Sequence, residues 1–146
     1  MGRRPEMNVA LLDSIHHCLE SGQNVLLSGL SCTARTFILK EIWKNGVGGF
    51  LCIVASEEQA YDLAHELGNL IGRERIGLFL ERDFVFMKEN STQVEVQRLC
   101  TLNDLILHPR RRSIIIATIG GLLYQTISPR QFQQLTIKME LGQDYP

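Results

Sequence analysis

The stretch from Val25 to Phe37 constrains this chain more than any other. Asn24 to Ser28 carries three consecutive apolar residues, Val25, Leu26 and Leu27, and reads as a strand. Apolar character that is continuous rather than alternating is expected of a strand covered on both faces, as in a parallel sheet. Gly29 supplies a tight turn, and about Thr33 to Lys44 reads as a helix with Phe37, Ile38 and Ile42 inward. Strand, glycine turn and helix overlay the phosphate-loop pattern G-x-x-x-x-G-K-[ST] without a gap. Gly29 takes the first glycine and Thr36 the hydroxyl, but Ala34 stands at the second glycine and Arg35 at the lysine.

A phosphate loop works by presenting backbone N–H groups at a helix N-terminus. Its second glycine lets the backbone approach the phosphates, its lysine reaches the terminal phosphates and its Ser/Thr holds magnesium. Ala34 places a methyl at the close approach. Arg35 keeps the charge in a larger, planar group that does not substitute conservatively for lysine. Thr36 retains a candidate magnesium ligand. Such a site also needs a carboxylate at the end of a neighbouring strand. The strand Phe50–Ala55 runs into Ser56, with Glu57 and Glu58 inside the next helix start, and the strand Ser113–Thr118 ends on a hydroxyl. These residues predict a degenerate loop and no ATP hydrolysis by this chain. Weak anion binding stays open, as does the alternative that Arg35 caps or salt-bridges at the surface.

The rest of the chain alternates helix and strand. Asn8 to about Ser21 is a helix with Leu11, Leu12, Ile15, Cys18 and Leu19 on one face. Asn45 to Gly49 breaks the chain, and Phe50–Ala55 is a second buried strand. Ser56 and Gln59 form a capping box for a helix to about Ile71, with Ala60, Leu63, Ala64, Leu67 and Ile71 inward. Arg75 to Leu80 is a third strand, and Glu81 to Ser91 a loop. Thr92 and Glu95 read as a second capping box, opening a helix that Pro109 stops at about His108. Ser113 to Thr118 is a fourth buried strand, Gly120 to about Thr126 a short helix, Ser128 to Gln131 a third capping box with proline at the first helical position, and Thr136 to Leu141 a last strand. This order predicts an α/β fold with a mostly parallel sheet between helices.

The 146 residues fit one domain, with residues 1–7 as a flexible N-terminus and 142–146 as the start of a linker. The net charge of -1 gives no global argument for nucleic acid or an anionic membrane. No apolar run approaches the ~20 residues of a membrane span, and no signal core follows the charged first residues. Cys18, Cys32, Cys52 and Cys100 form no C-x-x-C pair and read as reduced, mostly buried thiols of a cytoplasmic protein. The four histidines lack ligand spacing, so no metal is expected. Arg110, Arg111 and Arg112 are either a solvated turn or a contact for an anion, DNA or an acidic partner. Phe84, Phe86 and Met87, in a polar loop, either dock a partner or fold back over the sheet.

The chain resembles the N-terminal subdomain of the bacterial transcription-repair coupling factor, Mfd. Val25 to Arg35 is similar to that family's opening strand and degenerate loop. Cys52-Ile53-Val54-Ala55 with Glu58 to Leu67 is similar to its second strand and helix, and Arg98-Leu99, Leu102 and Leu105 to its R-L-x-x-L-x-x-L helix. Ile114 to Thr118 with Gly121-Leu122-Leu123 and Ser128-Pro129 follows in register, and Leu141-Gly142 falls where the family's first subdomain hands over to its second. The same module resembles the first domain of the excision-repair helicase, component B of that repair system, whose loop carries an intact G-K-T; Ala34 and Arg35 favour the coupling factor.

The resemblance implies a three-layer RecA-like (P-loop NTPase-like) fold with a degenerate nucleotide site. It implies a scaffold and interaction module in nucleotide excision repair at stalled RNA polymerase, not an enzyme by itself. ATP and magnesium would belong to the parent's translocase motor, and no cofactor to this chain. Implied partners are the parent's other domains and, through the parent, the damage-recognition component A of excision repair, RNA polymerase and DNA, with no membrane. The loop 83–90 departs from the family's acidic and Pro-Tyr pattern. The alternatives are a small active P-loop nucleotide-binding enzyme, with Arg35 in the lysine's place, and a DNA-contacting helicase lobe using Arg110 to Arg112.

Overall fold

The computed structural model describes residues 9–46, 48–81, 91–137 and 141–142. Two helices lead: α1, Val9–Glu20, and α2, Cys32–Asn45. A parallel unit follows: β1, Phe50–Val54; α3, Glu57–Ile71; a single 3-10 turn, Arg73–Arg75; and β2, Ile76–Phe79. Then come α4, Ser91–Leu107; β3, Ile114–Thr118; α5, Ile119–Leu123; and α6, Pro129–Leu135. The fold is mixed α/β, with a small three-stranded parallel sheet flanked by helices.

The strands lie in the order β1-β3-β2. Phe50 pairs with Ile114 on one side of β3, and Ile76 pairs with the same Ile114 on the other. The crossover through α3 therefore spans the sheet one way and that through α4 returns the other way. They lie on opposite faces, as right-handed crossovers require. Strand alternation shows the two faces directly. Phe50, Cys52, Val54, Ile76, Leu78, Ile114 and Ile116 pack with Ala60, Leu63 and Leu67 of α3. Gly77 and Ile115 point the other way, against Thr101 of α4, where a Cβ at Gly77 would meet the Thr101 methyl at 2.7 Å. Leu39 and Trp43 bring α2 onto the α3 side.

Residues 24–28 form no ladder, which corrects the expected first strand. Leu26 is 93% exposed and Val25 also lies at the surface. An apolar run becomes a buried strand only where a neighbouring strand takes its N–H and C=O groups and helices cover its faces. The described sheet ends at β1 and β2, and neither pairs with this stretch. The last strand is not formed either where it is described: Thr136 and Ile137 are exposed and outside any strand, residues 138–140 lie outside the described residues, and Leu141-Gly142 is a turn.

The helix starts fare unevenly. Ser56 Oγ accepts the Gln59 N–H at 3.3 Å, but the Gln59 side chain reaches back to the Ala55 N–H rather than to that of Ser56. Ser128 and Gln131 close a full box around Pro129. The box expected at Thr92 is displaced, because α4 already includes Ser91 and leaves Thr92 inside the first turn. The thiols are less buried than expected: Cys32 and Cys100 are exposed, Cys18 and Cys52 half-buried. Among the described residues no helix is long and apolar enough to cross a membrane.

Candidate functional site

The candidate site begins at the turn into α2. Gly29 has φ +72, a left-handed conformation that favours glycine although nothing crowds the position. Ser31 is the N-cap, and its Oγ accepts the Ala34 N–H at 3.3 Å. The Arg35 N–H donates to the Ser31 carbonyl at 3.0 Å. The first turn of α2 thus satisfies these donors within its own chain, by ordinary capping.

The next two side chains turn away from the loop. The Arg35 side chain is half-buried, and its Nε has no hydrogen-bond partner. Its charge acts on Cys52 of β1. Burial pushes that thiol up to about 11, and the Arg35 guanidinium offsets part of the rise. Thr36 is 2% exposed, with Oγ1 3.1 Å from the Cys32 carbonyl and in close contact with Glu66 Oε2. Thr36 therefore fastens α2 to α3.

The strand ends are also occupied by capping. Thr118 Oγ1 accepts the Gly121 N–H at 3.1 Å, and Ser56 caps α3. One carboxylate was not foreseen at such a position. Glu81 lies two residues past the end of β2, and its carboxyl group lies against Gly120, where a Cβ would meet Oε2 at 2.1 Å. The signal was present in the sequence, since Glu81 follows the apolar run Leu78-Phe79-Leu80.

Sequence reasoning also gave no special role to the Arg98 side chain. It is 3% exposed, stacks on Phe79 with the guanidinium carbon 3.7 Å from the ring centroid, and donates through Nη1 to the carbonyls of Leu80 and Gly121, the latter at 3.0 Å. It ties α4 to the ends of β2 and β3. The available signals were its place at the head of the R-L-x-x-L-x-x-L resemblance and its helical spacing from Val94 and Thr101.

The arginine turn lies at the other end of the sheet. Arg111 Nη1 pairs with Asp104 Oδ1 at 2.8 Å, Arg112 Nη1 donates to the Lys44 carbonyl at 3.2 Å, and Arg110 is exposed. Arg110 and Arg111 line an open cavity of about 650 Å³ with Arg75, Leu107, His108 and Pro109. Phe84, Phe86 and Met87 lie outside the described residues. Among those described, no group of three or more His, Cys, Asp or Glu side chains could hold a metal.

No family model matches the chain. No solved structure matches it. Among curated proteins, the chain is similar to UvrABC system protein B of Kosmotoga olearia, at 21% identity over 157 residues that cover 99% of this chain and 23% of that protein. The chain thus spans under a quarter of the length of this relative. The likeness supports at most a distant, UvrB-like relationship.

Proposed function

We propose that this chain is a degenerate RecA-like module, the first subdomain of a transcription-repair coupling factor, and serves as a scaffold rather than as an ATPase. The parallel sheet with crossovers on opposite faces supports the RecA-like part of the reading. The likeness to UvrABC system protein B supports the excision-repair part. The observation that carries the loss of nucleotide chemistry is the placement of Thr36: the buried hydroxyl is engaged with Cys32 and Glu66. Arg35, half-buried beside β1, adds to it. On this reading the chain needs no cofactor, and ATP and magnesium act in the parent's motor. Its partners are the parent's remaining domains and, through them, the damage-recognition component A of excision repair, RNA polymerase and DNA.

Isothermal titration with Mg-ATP tests the proposal. The expected result is no saturable heat at micromolar concentrations. Micromolar binding that disappears in Arg35→Ala would replace the scaffold reading with that of a small P-loop enzyme.

A further inference from the structure

Five of the chain's eleven arginines fall in two short segments, Arg73–Arg75 and Arg110–Arg112. The sheet register brings these together: Arg75 precedes Ile76, Arg112 lies two residues before Ile114, and Ile76 pairs with Ile114. Both segments therefore sit at the entry end of β2 and β3. The open cavity between them, of about 650 Å³, has Arg75, His108, Arg110 and Arg111 as its ionisable lining, with Leu107 and Pro109 as its apolar part. Two carboxylates pair with arginines of this lining without lining the cavity themselves. Glu74 and Asp104 line a separate hollow of about 190 Å³ alongside Gly77, Cys100 and Thr101. Glu74 pairs with Arg75 at 3.8 Å, both at the surface. Asp104 pairs with Arg111 at 2.8 Å while accepting a weaker bond from the Ser113 hydroxyl at 3.5 Å.

We infer that this cleft holds the phosphate backbone of a nucleic-acid strand. All its permanent charges are guanidinium groups, whose planar forks match phosphate oxygens and are weakly hydrated. Its shape separates a strand from a small phosphate ligand. Pockets for small molecules bury most of their ligand, whereas this cavity is open to solvent and leaves a bound strand room to extend beyond it. The site is distinct from the loop before α2. The C-terminal end of α2 touches the arginine turn through Lys44 and Trp43, so the N-terminal end of this 14-residue helix lies about 20 Å away. The inference goes beyond the scaffold reading and does not depend on it.

The test is fluorescence anisotropy of the whole chain with a labelled single-stranded oligonucleotide across a sodium chloride series. Three arginine contacts give a slope of log Kobs against log salt of about −2, at ~0.7 per phosphate on single strands. The double variant Arg75→Ala/Arg110→Ala should weaken binding at least tenfold at low salt and bring the slope to about −0.7. Both side chains are at the surface, and circular dichroism checks the fold. Arg130→Ala, exposed on α6 and outside the cleft lining, should change neither quantity. A flat salt response, an equal loss with Arg130→Ala, or equal binding of poly-glutamate would each overturn the assignment. So would binding of tripolyphosphate with no binding of the oligonucleotide. Failure here leaves the Mg-ATP titration untouched, and the reverse also holds.

Discussion

Two arginines show how one residue type serves opposite ends. Arg98 is 3% exposed and fully used: one face lies on Phe79, and Nη1 bridges the carbonyls of Leu80 and Gly121. Arg35 is half-buried, with its Nε unsatisfied beside a thiol. Deleting a buried charged donor leaves its acceptors bare, at roughly 1–3 kcal/mol for each unsatisfied group. Arg98→Met keeps the stem and removes the donors, so it should lower unfolding stability by about 3 kcal/mol in urea titration, while Arg35→Met should change it by less than about 1 kcal/mol. Equal losses would mean that Arg98 serves only by its bulk. Neither role was readable from residue type. Arg35 stands out in the sequence because it fills a motif position, and its side chain then follows the face of α2 that packs towards β1. The buried Arg98 occupies a site that a periodicity argument assigns to a leucine, while Leu99 and Leu105 of the same helix face outward at 46% and 43% exposure.

At the level of elements, the helix starts were the most legible part of the chain, because a cap is a local match between one side chain and the next few N–H groups. Ser56 and Ser128 fall where the pattern puts them, and Ser31 caps α2 in the same manner. The α3 cap matters most, since that helix carries Ala60, Leu63 and Leu67 into the core. Ser56→Ala should therefore cost about 1 kcal/mol by chemical denaturation, with the Gln59 side chain left on the Ala55 N–H as a partial substitute. A loss of under ~0.3 kcal/mol would mean that Gln59 alone fixes the helix start. Strands were less legible, and the reason is equally physical. β1, β2 and β3 form where the apolar runs predict strands because each lies beside another, but β1 is covered on one face only, with Leu51 and Ile53 exposed rather than buried as expected. The run at 24–28 has the same composition without a partner strand among the described residues, and composition does not record whether a partner exists. The strand-end carboxylate shows a different limit: Glu81 was written in the sequence, but its importance depends on Gly120, which only the strand order places beside it.

For the molecule as a whole, the same strand order leaves the two sides of the sheet unequally covered. α3 packs on all three strands, with Leu39 and Trp43 of α2 joining it, and that side holds the core. On the opposite side α4 packs on β2, and β3 is met through Ile115. The β1 residues that point this way are Leu51 and Ile53, at 50% and 57% exposure. Val96 and Leu99 on α4 are exposed as well, at 52% and 46%. Adjacent exposed apolar side chains on a strand are unlike the scattered single ones that ordinary surfaces carry. Such a surface should bind anilinonaphthalene sulfonate in the native state. Replacing Leu51 and Ile53 together by threonine keeps strand propensity while removing apolar area. The double variant should then lose most of the dye signal. Its stability should shift by no more than about 1 kcal/mol, since substitutions outside the core rarely cost more. If the dye signal were unchanged, the exposed apolar surface would have to lie elsewhere, at Leu26 or along α5, where Leu123 is 78% exposed. If stability instead fell by several kcal/mol, the β1 side chains would have to be buried in solution, and α4 would have to reach across the sheet further than its packing on β2 allows.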